Sequence, residues 1–279
     1  MSKKVSIGMP VYNGGKYLSR AIESLLNQTY DNFELIISDN ASEDNTSEII
    51  QYYMKNDKRI KFFSQKKNIG ALCNFQFTLE RSIGEFFFWA PHDDWWDKHF
   101  ISEGVKSLST SPDASSAIGN IKIYTPNGEE IGQINKNWEL NQTRNFVRIF
   151  KHLTNNTNDL IFYALFRRDA IKKTIWSKSS APEKVIILHA LLQGGIIYNS
   201  NMEYSNQYTE KSQSYQVNTN KLPLNKQSHF LLFIDQTKEL YKWSSHWQFT
   251  LLTIILFFSQ KWHRFIIKTA IQKIKKMVQ

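Results

Sequence analysis

Phe86-Phe87-Phe88-Trp89-Ala90-Pro91-His92-Asp93-Asp94 decides how this chain reads: a run of apolar residues that ends abruptly in a proline and two acids. Four bulky residues in unbroken succession suit a strand covered on both faces, which is the position of a strand inside a parallel sheet. The same grammar recurs upstream. Residues 4–9, 33–38 and 60–64 are short apolar runs, and each is followed by a polar turn. Between the first two, Leu18, Ala21, Ile22, Leu25 and Leu26 recur at three- and four-residue spacing, which predicts a helix over 15–28 with one buried face. Ile49, Ile50 and Tyr53, and then Ile69, Leu72, Phe75 and Leu79, repeat the pattern more weakly. Strand and helix therefore alternate through residue 110, the signature of βαβ units in an α/β fold.

Downstream, the spacing predicts a helix over 98–109, a strand over 117–124 and a hairpin turn at Asn127-Gly128. Residues 132–158 read as a polar loop holding a short helix around Phe146, Val147 and Phe150. Asp159 to Phe166 reads as a core strand, Arg168 to Trp176 as a short helix, and 183–194 as a longer helix ended by Gly194-Gly195. Residues 201–228, rich in Asn, Ser, Gln and Lys, read as a linker. Beyond it, Trp247 to Phe258 is apolar but shorter than the roughly 20 residues needed to span a bilayer. In 261–279, Trp262, Ile266, Ile267, Ala270, Ile271, Ile274 and Met277 fall to one side and lysines to the other. That is the pattern of an interfacial helix on anionic lipid, with packing on the protein's own domain as the rival reading.

Composition agrees with a folded chain: 279 residues, 41% hydrophobic, with 19 Phe, 12 Tyr and 8 Trp. The formal charge of +10 is concentrated near the end, where Lys261, Arg264, Lys268, Lys273, Lys275 and Lys276 face no acid. Basic residues mixed with apolar ones point to a membrane surface and argue against nucleic acid. Cys73 is the single cysteine, so an intrachain disulfide is excluded and a cytoplasmic location is expected. Met1-Ser2-Lys3-Lys4 opens without the apolar run of a signal peptide.

Parallel strands present ligands at their carboxyl ends. Here those ends are Pro10-Val11-Tyr12-Asn13-Gly14-Gly15, Ser38-Asp39-Asn40-Ala41-Ser42-Glu43-Asp44, Lys66-Lys67-Asn68-Ile69-Gly70 and Pro91-His92-Asp93-Asp94. In this order, with Gln28-Thr29-Tyr30 before the second strand and Gly84-Glu85 before the fourth, the chain resembles glycosyltransferase family 2. The likeness is specific over residues 4–100 and looser to about residue 215.

The resemblance implies a GT-A fold, a nucleotide-diphospho-sugar donor, inversion at the transferred carbon and a glycan or lipid-linked acceptor. It assigns Pro10, Tyr12, Asn13, Asp39, Asn68, Gly70 and Asp93 to the donor site. A carboxylate such as Asp39 can accept a base N–H while the Tyr12 ring packs on a flat face; capping of the next helix is the rival role for the Asp39 turn. The family's Asp-x-Asp motif would begin at Pro91, which leaves Asp93 and Asp94 as the acids for Mn²⁺ or Mg²⁺ and leaves open which of them binds it. An acid opening a helix is implied as general base. Glu183 holds that place, with Asp159 and Glu203 as the other candidates.

Trp95 and Trp96, at an exposed loop, are expected to wall the acceptor side, with packing in the core as the rival reading; Arg167-Arg168 are expected to flank a helix, with contact to a lipid-diphosphate acceptor as the rival; and no histidine is given a role. The domains expected are 1–215, with a donor half 1–110 and an acceptor half 111–215, and a helical tail 216–279 that holds the protein peripherally on the inner membrane face. The rival functions are a catalytically inactive nucleotide-sugar-binding protein and a nucleotidyltransferase, whose Gly-rich phosphate loop Tyr12-Asn13-Gly14-Gly15 matches poorly.

Overall fold

The computed structural model describes residues 2–134, 140, 148–149, 159–173 and 182–208. The predicted tail, the helix around Phe146 to Phe150 save for residues 148–149, and the end of the Arg168 to Trp176 helix lie outside these residues.

The first half is the alternation that the sequence predicts. Strands β1 (Val5–Val11), β2 (Phe33–Asp39), β3 (Ile60–Ser64) and β4 (Phe86–Trp89) pair in parallel in the order β3-β2-β1-β4. β1, β2 and β4 are buried along their whole length, which is why their sequences run apolar without alternating. Helices α1 (Leu18–Leu26), α2 (Thr46–Asn56) and α3 (Ala71–Glu80) make the crossovers. α1 buries Leu18, Ala21, Ile22 and Leu25, the four positions that its spacing singles out.

The sheet continues as β4-β8-β6-β9-β5, with β7 on β6. β5 (Trp95–Trp96) is two residues long, α4 spans Phe100–Thr110, β6 is Ala114–Tyr124 and β7 is Glu130–Ile134. The β6–β7 hairpin turns where Asn127-Gly128 predicts, with Gly128 N donating to the Thr125 carbonyl at 3.0 Å. β8 (Leu165–Arg167) joins β4 and β6 with antiparallel pairing on both sides. α5 (Arg168–Ile171) and α6 (Pro182–Gln193) follow, and β9 (Gly195–Gln207) runs parallel to β6.

Three expectations are corrected. The loop expected from residue 132 starts later, because residues 132–134 complete β7 on β6. Asp159 to Phe166 is not one strand: Asp159–Tyr163 forms a 3-10 helix and only Leu165–Arg167 joins the sheet. The 3-10 turn carries Phe162 onto Trp89, with the rings stacked at 4.5 Å, so an apolar run was right about burial and silent about geometry. Residues 201–207 are not linker but the second half of β9. Their polar residues alternate with buried Met202 and Tyr204, and the strand lies so close to β6 that a Cβ at Gly119 would stand 2.0 Å from the Met202 carbonyl oxygen.

Candidate functional site

Because β1 to β4 run in one direction, their carboxyl ends share one edge of the sheet, with Val11 opposite Asp39 and Asp39 opposite Ser64. The turns beyond them are knitted together. Asn13 and Ala41 both take left-handed backbone, φ 51° and 61°, a conformation that L-residues occupy sparingly and that recurs in ligand-binding turns. Asn13 N donates to Ser42 Oγ at 2.9 Å, and Glu43 N donates to Asn13 Oδ1 at 2.9 Å. Gly14 N donates to Thr46 Oγ1 and Gly15 N to Asp44 Oδ2, at 2.8 and 3.0 Å.

Asp39 is 2% exposed, and its Oδ1 accepts from Ser42 N at 3.0 Å and from Ser42 Oγ at 2.5 Å. Asp39 thus holds its own loop and caps no helix; at the start of α2 it is Asp44 Oδ1 that accepts from Thr46 N, at 3.1 Å. The third turn is bound to the second: Asn40 Nδ2 donates to Asn68 Oδ1 at 3.0 Å, and Ile69 N donates to Asn40 Oδ1 at 2.8 Å. Gly70 follows at φ 83°, where a side chain would be strained. Tyr12, at the end of β1, is 44% exposed beside this frame. Pro10 lies within β1, in register with Ser38, and is buried.

The fourth turn divides its two acids. Asp93 is half-buried, whereas Asp94 is 1% exposed and spends both oxygens inside the protein. Tyr204 Oη donates to Asp94 Oδ2, Gln207 N donates to Oδ1 at 2.7 Å, and Asn206 Nδ2 lies 3.3 Å from each. Burial, with Asp93 beside it, pushes the Asp94 carboxyl well above the usual carboxylate range, and the bonds from Tyr204, Gln207 and Asn206 only partly oppose this. His92 packs against the first turn, where a Cβ on Gly14 would meet its Cδ2 at 2.7 Å.

Among the described residues no group of three or more His, Cys, Asp or Glu could enclose a metal ion. A hard divalent ion on a diphosphate does not need such a cage, because one or two carboxylates, substrate oxygens and water complete its shell. Asp93 fits that demand as the more open acid of the pair. Asp94 has the chemistry of a ligand but stands in a closed hydrogen-bonded setting.

The base candidates stand on three different elements. Glu183 is half-buried in the first turn of α6, which packs on the 3-10 helix, α5 and β6. Asp159 opens the 3-10 helix. Glu203 is held in an ion pair with Lys122 at 2.9 Å. The expected exposure of both tryptophans is corrected for Trp96, which takes the core-packing alternative. Trp96 is 3% exposed, stacked on Tyr204 at 5.5 Å and packed on Phe88, because β5 pairs with β9 and turns that side chain inward. Trp95 lies between the Arg20 guanidinium, 3.8 Å from its ring centre, and the Tyr124 ring at 4.8 Å. The flanking role expected of Arg167-Arg168 holds: Arg167 donates to the carbonyls of Ala114 and Leu108, and Arg168 to that of Ser82.

Sequence reasoning missed Arg20, Tyr204, Asn206 and Gln207. Arg20 stands on the polar face of α1, and nothing in the helix period marks it. A signal for β9 existed in Ile196, Ile197, Met202 and Tyr204, but the intervening Asn and Ser concealed it.

A family model described as Glycosyl transferase family 2 matches residues 6–175. Glycosyltransferase GlyG of Streptococcus pneumoniae serotype 4 is 34% identical over 124 residues, 44% of this chain and 41% of that protein. The chain thus spans less than half the length of this curated relative. Among solved structures, S. aureus TarS 1–349 in complex with UDP-GlcNAc aligns over 91% of this chain and 70% of its own, with a TM-score of 0.68 and 19% identity. The mannosyltransferase PcManGT of Pyrobaculum calidifontis, in complex with GDP-Man and Mn²⁺, aligns over 91% and 69%, with a TM-score of 0.61 and 13% identity. At these identities the two structures establish the fold, which is that of the GT-A transferases.

Proposed function

The chain belongs to glycosyl transferase family 2, and from that premise we propose that it moves a sugar from a nucleotide diphosphate, UDP first among them, onto a glycan or lipid-linked acceptor of a surface polysaccharide. The observation that carries this reading is the edge where the turns after β1, β2 and β3 are tied into one frame, with Asp39 at its floor and the acid turn of Asp93 packed against it through His92. The neighbours that hold UDP-GlcNAc, or GDP-Man with Mn²⁺, support a nucleotide-sugar donor and a divalent ion for the same fold.

In this reading Asp39 accepts the N–H of the base through the oxygen that Ser42 does not hold, and Tyr12 covers the base from its exposed position. Asn13, Asn68 and Gly70 form the turns that border the donor, and Pro10 stiffens the strand that presents them. A Mn²⁺ or Mg²⁺ ion held by Asp93 would neutralise the leaving diphosphate. Asp94 acts by anchoring the turn to β9. Glu183 takes the proton of the acceptor hydroxyl as that oxygen attacks the anomeric carbon from the face opposite the leaving group, so the configuration inverts. The basic, apolar tail holds the protein at the inner face of the membrane, near a lipid-linked acceptor.

Calorimetric titration with UDP, GDP and CDP, with and without Mn²⁺, tests the donor half. One nucleotide should bind in a metal-dependent manner, and Asp93→Ala should remove that dependence. Folded protein that binds none of the three in either condition would sink the reading. For the base, Glu183→Gln should lower turnover by about 100-fold or more with nucleotide affinity unchanged; full transfer activity in that variant removes Glu183 from its role.

A further inference from the structure

Arg20 is outside every residue so far given to donor, metal or acceptor, yet it touches the acid turn directly. From α1 its Nη2 donates to the Asp93 carbonyl oxygen at 2.9 Å and to Gln207 Oε1 at 2.8 Å. Its guanidinium carbon stands 3.8 Å from the centre of the Trp95 ring. Gln207 carries the connection further, donating from its backbone N to Asp94 Oδ1 at 2.7 Å and from Nε2 to the Thr125 carbonyl at 2.6 Å. One cation therefore fastens α1, the turn after β4, the end of β9 and the β6–β7 hairpin to one another.

The placement of the bond matters. Arg20 hydrogen-bonds the peptide oxygen of Asp93, and its charge also faces the Asp93 and Asp94 carboxylates without pairing with either, so it restricts the backbone from which the Asp93 carboxylate projects and leaves that carboxylate's oxygens open to a ligand. An arginine suits this task, because its planar guanidinium donates to acceptors at its edge while its flat face lies on an aromatic ring, a division that the compact lysine ammonium does not have. Groups that orient a metal ligand from behind typically change metal affinity or activity by about 10- to 100-fold when removed.

We propose that Arg20 is a positioning residue for the metal-binding acid: by fixing the Asp93 peptide between α1 and β9, it sets how Asp93 meets the ion that bridges the donor. This rests on the donor-site reading above and adds a residue on α1 to it. A plain structural brace would alter stability and loosen nucleotide binding generally. A positioning residue alters the metal requirement and works only through Asp93.

The test is UDP binding followed by calorimetry across a Mn²⁺ series, for the parent, Arg20→Gln, Arg20→Lys, Asp93→Ala and the Arg20→Gln/Asp93→Ala double variant. The Mn²⁺ concentration for half-maximal binding should rise about tenfold or more in Arg20→Gln and by an intermediate amount in Arg20→Lys. Metal-free affinity for UDP should stay at the parent value, and the double variant should bind as Asp93→Ala does. Two results overturn the inference alone: a parent-like metal requirement in Arg20→Gln, or an equal loss of affinity with and without metal that persists on the Asp93→Ala background. Should Arg20→Gln fail to fold, Arg20→Lys and Gln207→Met, each removing one anchor, make the same comparison. A parent protein that binds UDP regardless of Mn²⁺ keeps the nucleotide site but overturns the metal part of the donor-site reading, and this inference with it.

Discussion

Glu34, on β2, and Asp94, in the turn after β4, are both buried acids, and their surroundings push them in opposite directions. Burial raises the Glu34 carboxyl, but the Lys61 ammonium, the Ser6 hydroxyl and the Ile83 amide outweigh it, so the net shift is downward. An acid with a depressed folded pKa gives stability that is present above its unfolded value, about 4, and is lost as pH falls through the folded one. Glu34→Gln should therefore cost about 1–3 kcal/mol at neutral pH and shrink that loss in acid, as read by urea unfolding between pH 2 and 7. Asp94 is raised by burial and by Asp93, so the folded chain keeps a proton that the unfolded chain has released, and stability falls as pH rises from about 4 towards the folded value. Asp94→Asn, measured without metal, should flatten that slope; an unchanged slope would show that Asp94 is not its source. Asp39, Asn13 and Asp93 were legible because strand-end turns advertise themselves by local sequence. Tyr204 and Gln207 were not, since they reach Asp94 across 110 and 113 positions and leave no local period.

At the scale of elements, the four parallel strands and α1 follow directly from their apolar runs and helical spacing. The 3-10 helix before β8 does not, because an apolar run such as Leu160, Ile161 and Phe162 declares burial and leaves the backbone undecided. β9 was hidden for the opposite reason: Asn199, Ser200 and Asn201 interrupt it where the β6–β9 register shifts, and Ser205 and Asn206 are polar where the strand meets β5 and the acid turn. The tight β6–β9 contact makes a sharp prediction. Gly119→Ala would drive a methyl into the Met202 backbone, which cannot give way as a side chain would, and should destabilise the chain by about 1–3 kcal/mol in urea unfolding. A smaller cost would mean that the two strands slide past one another.

For the molecule as a whole, the excess of basic residues bears on where it works. Among the described residues no helix is long and apolar enough to cross a membrane, and the basic tail lies outside them. If the tail of 261–279 lies on lipid, the full chain should sediment with vesicles that contain phosphatidylserine and not with neutral ones, and binding should weaken as salt is raised. Replacing Lys268, Lys273, Lys275 and Lys276 with Gln should abolish it, and binding that survives those changes would detach the membrane from the tail. The hold that β9 keeps on the acid turn has its own bearing on how such proteins can be recombined. The family match stops at residue 175, but the donors that enclose Asp94 are Tyr204, Asn206 and Gln207. A chimera spliced at that limit would carry the acids from one parent and their partners from another. A splice between relatives should succeed only when the segment through residue 208 comes from the same parent as the acid turn, so the inheritable unit is longer than the recognisable one.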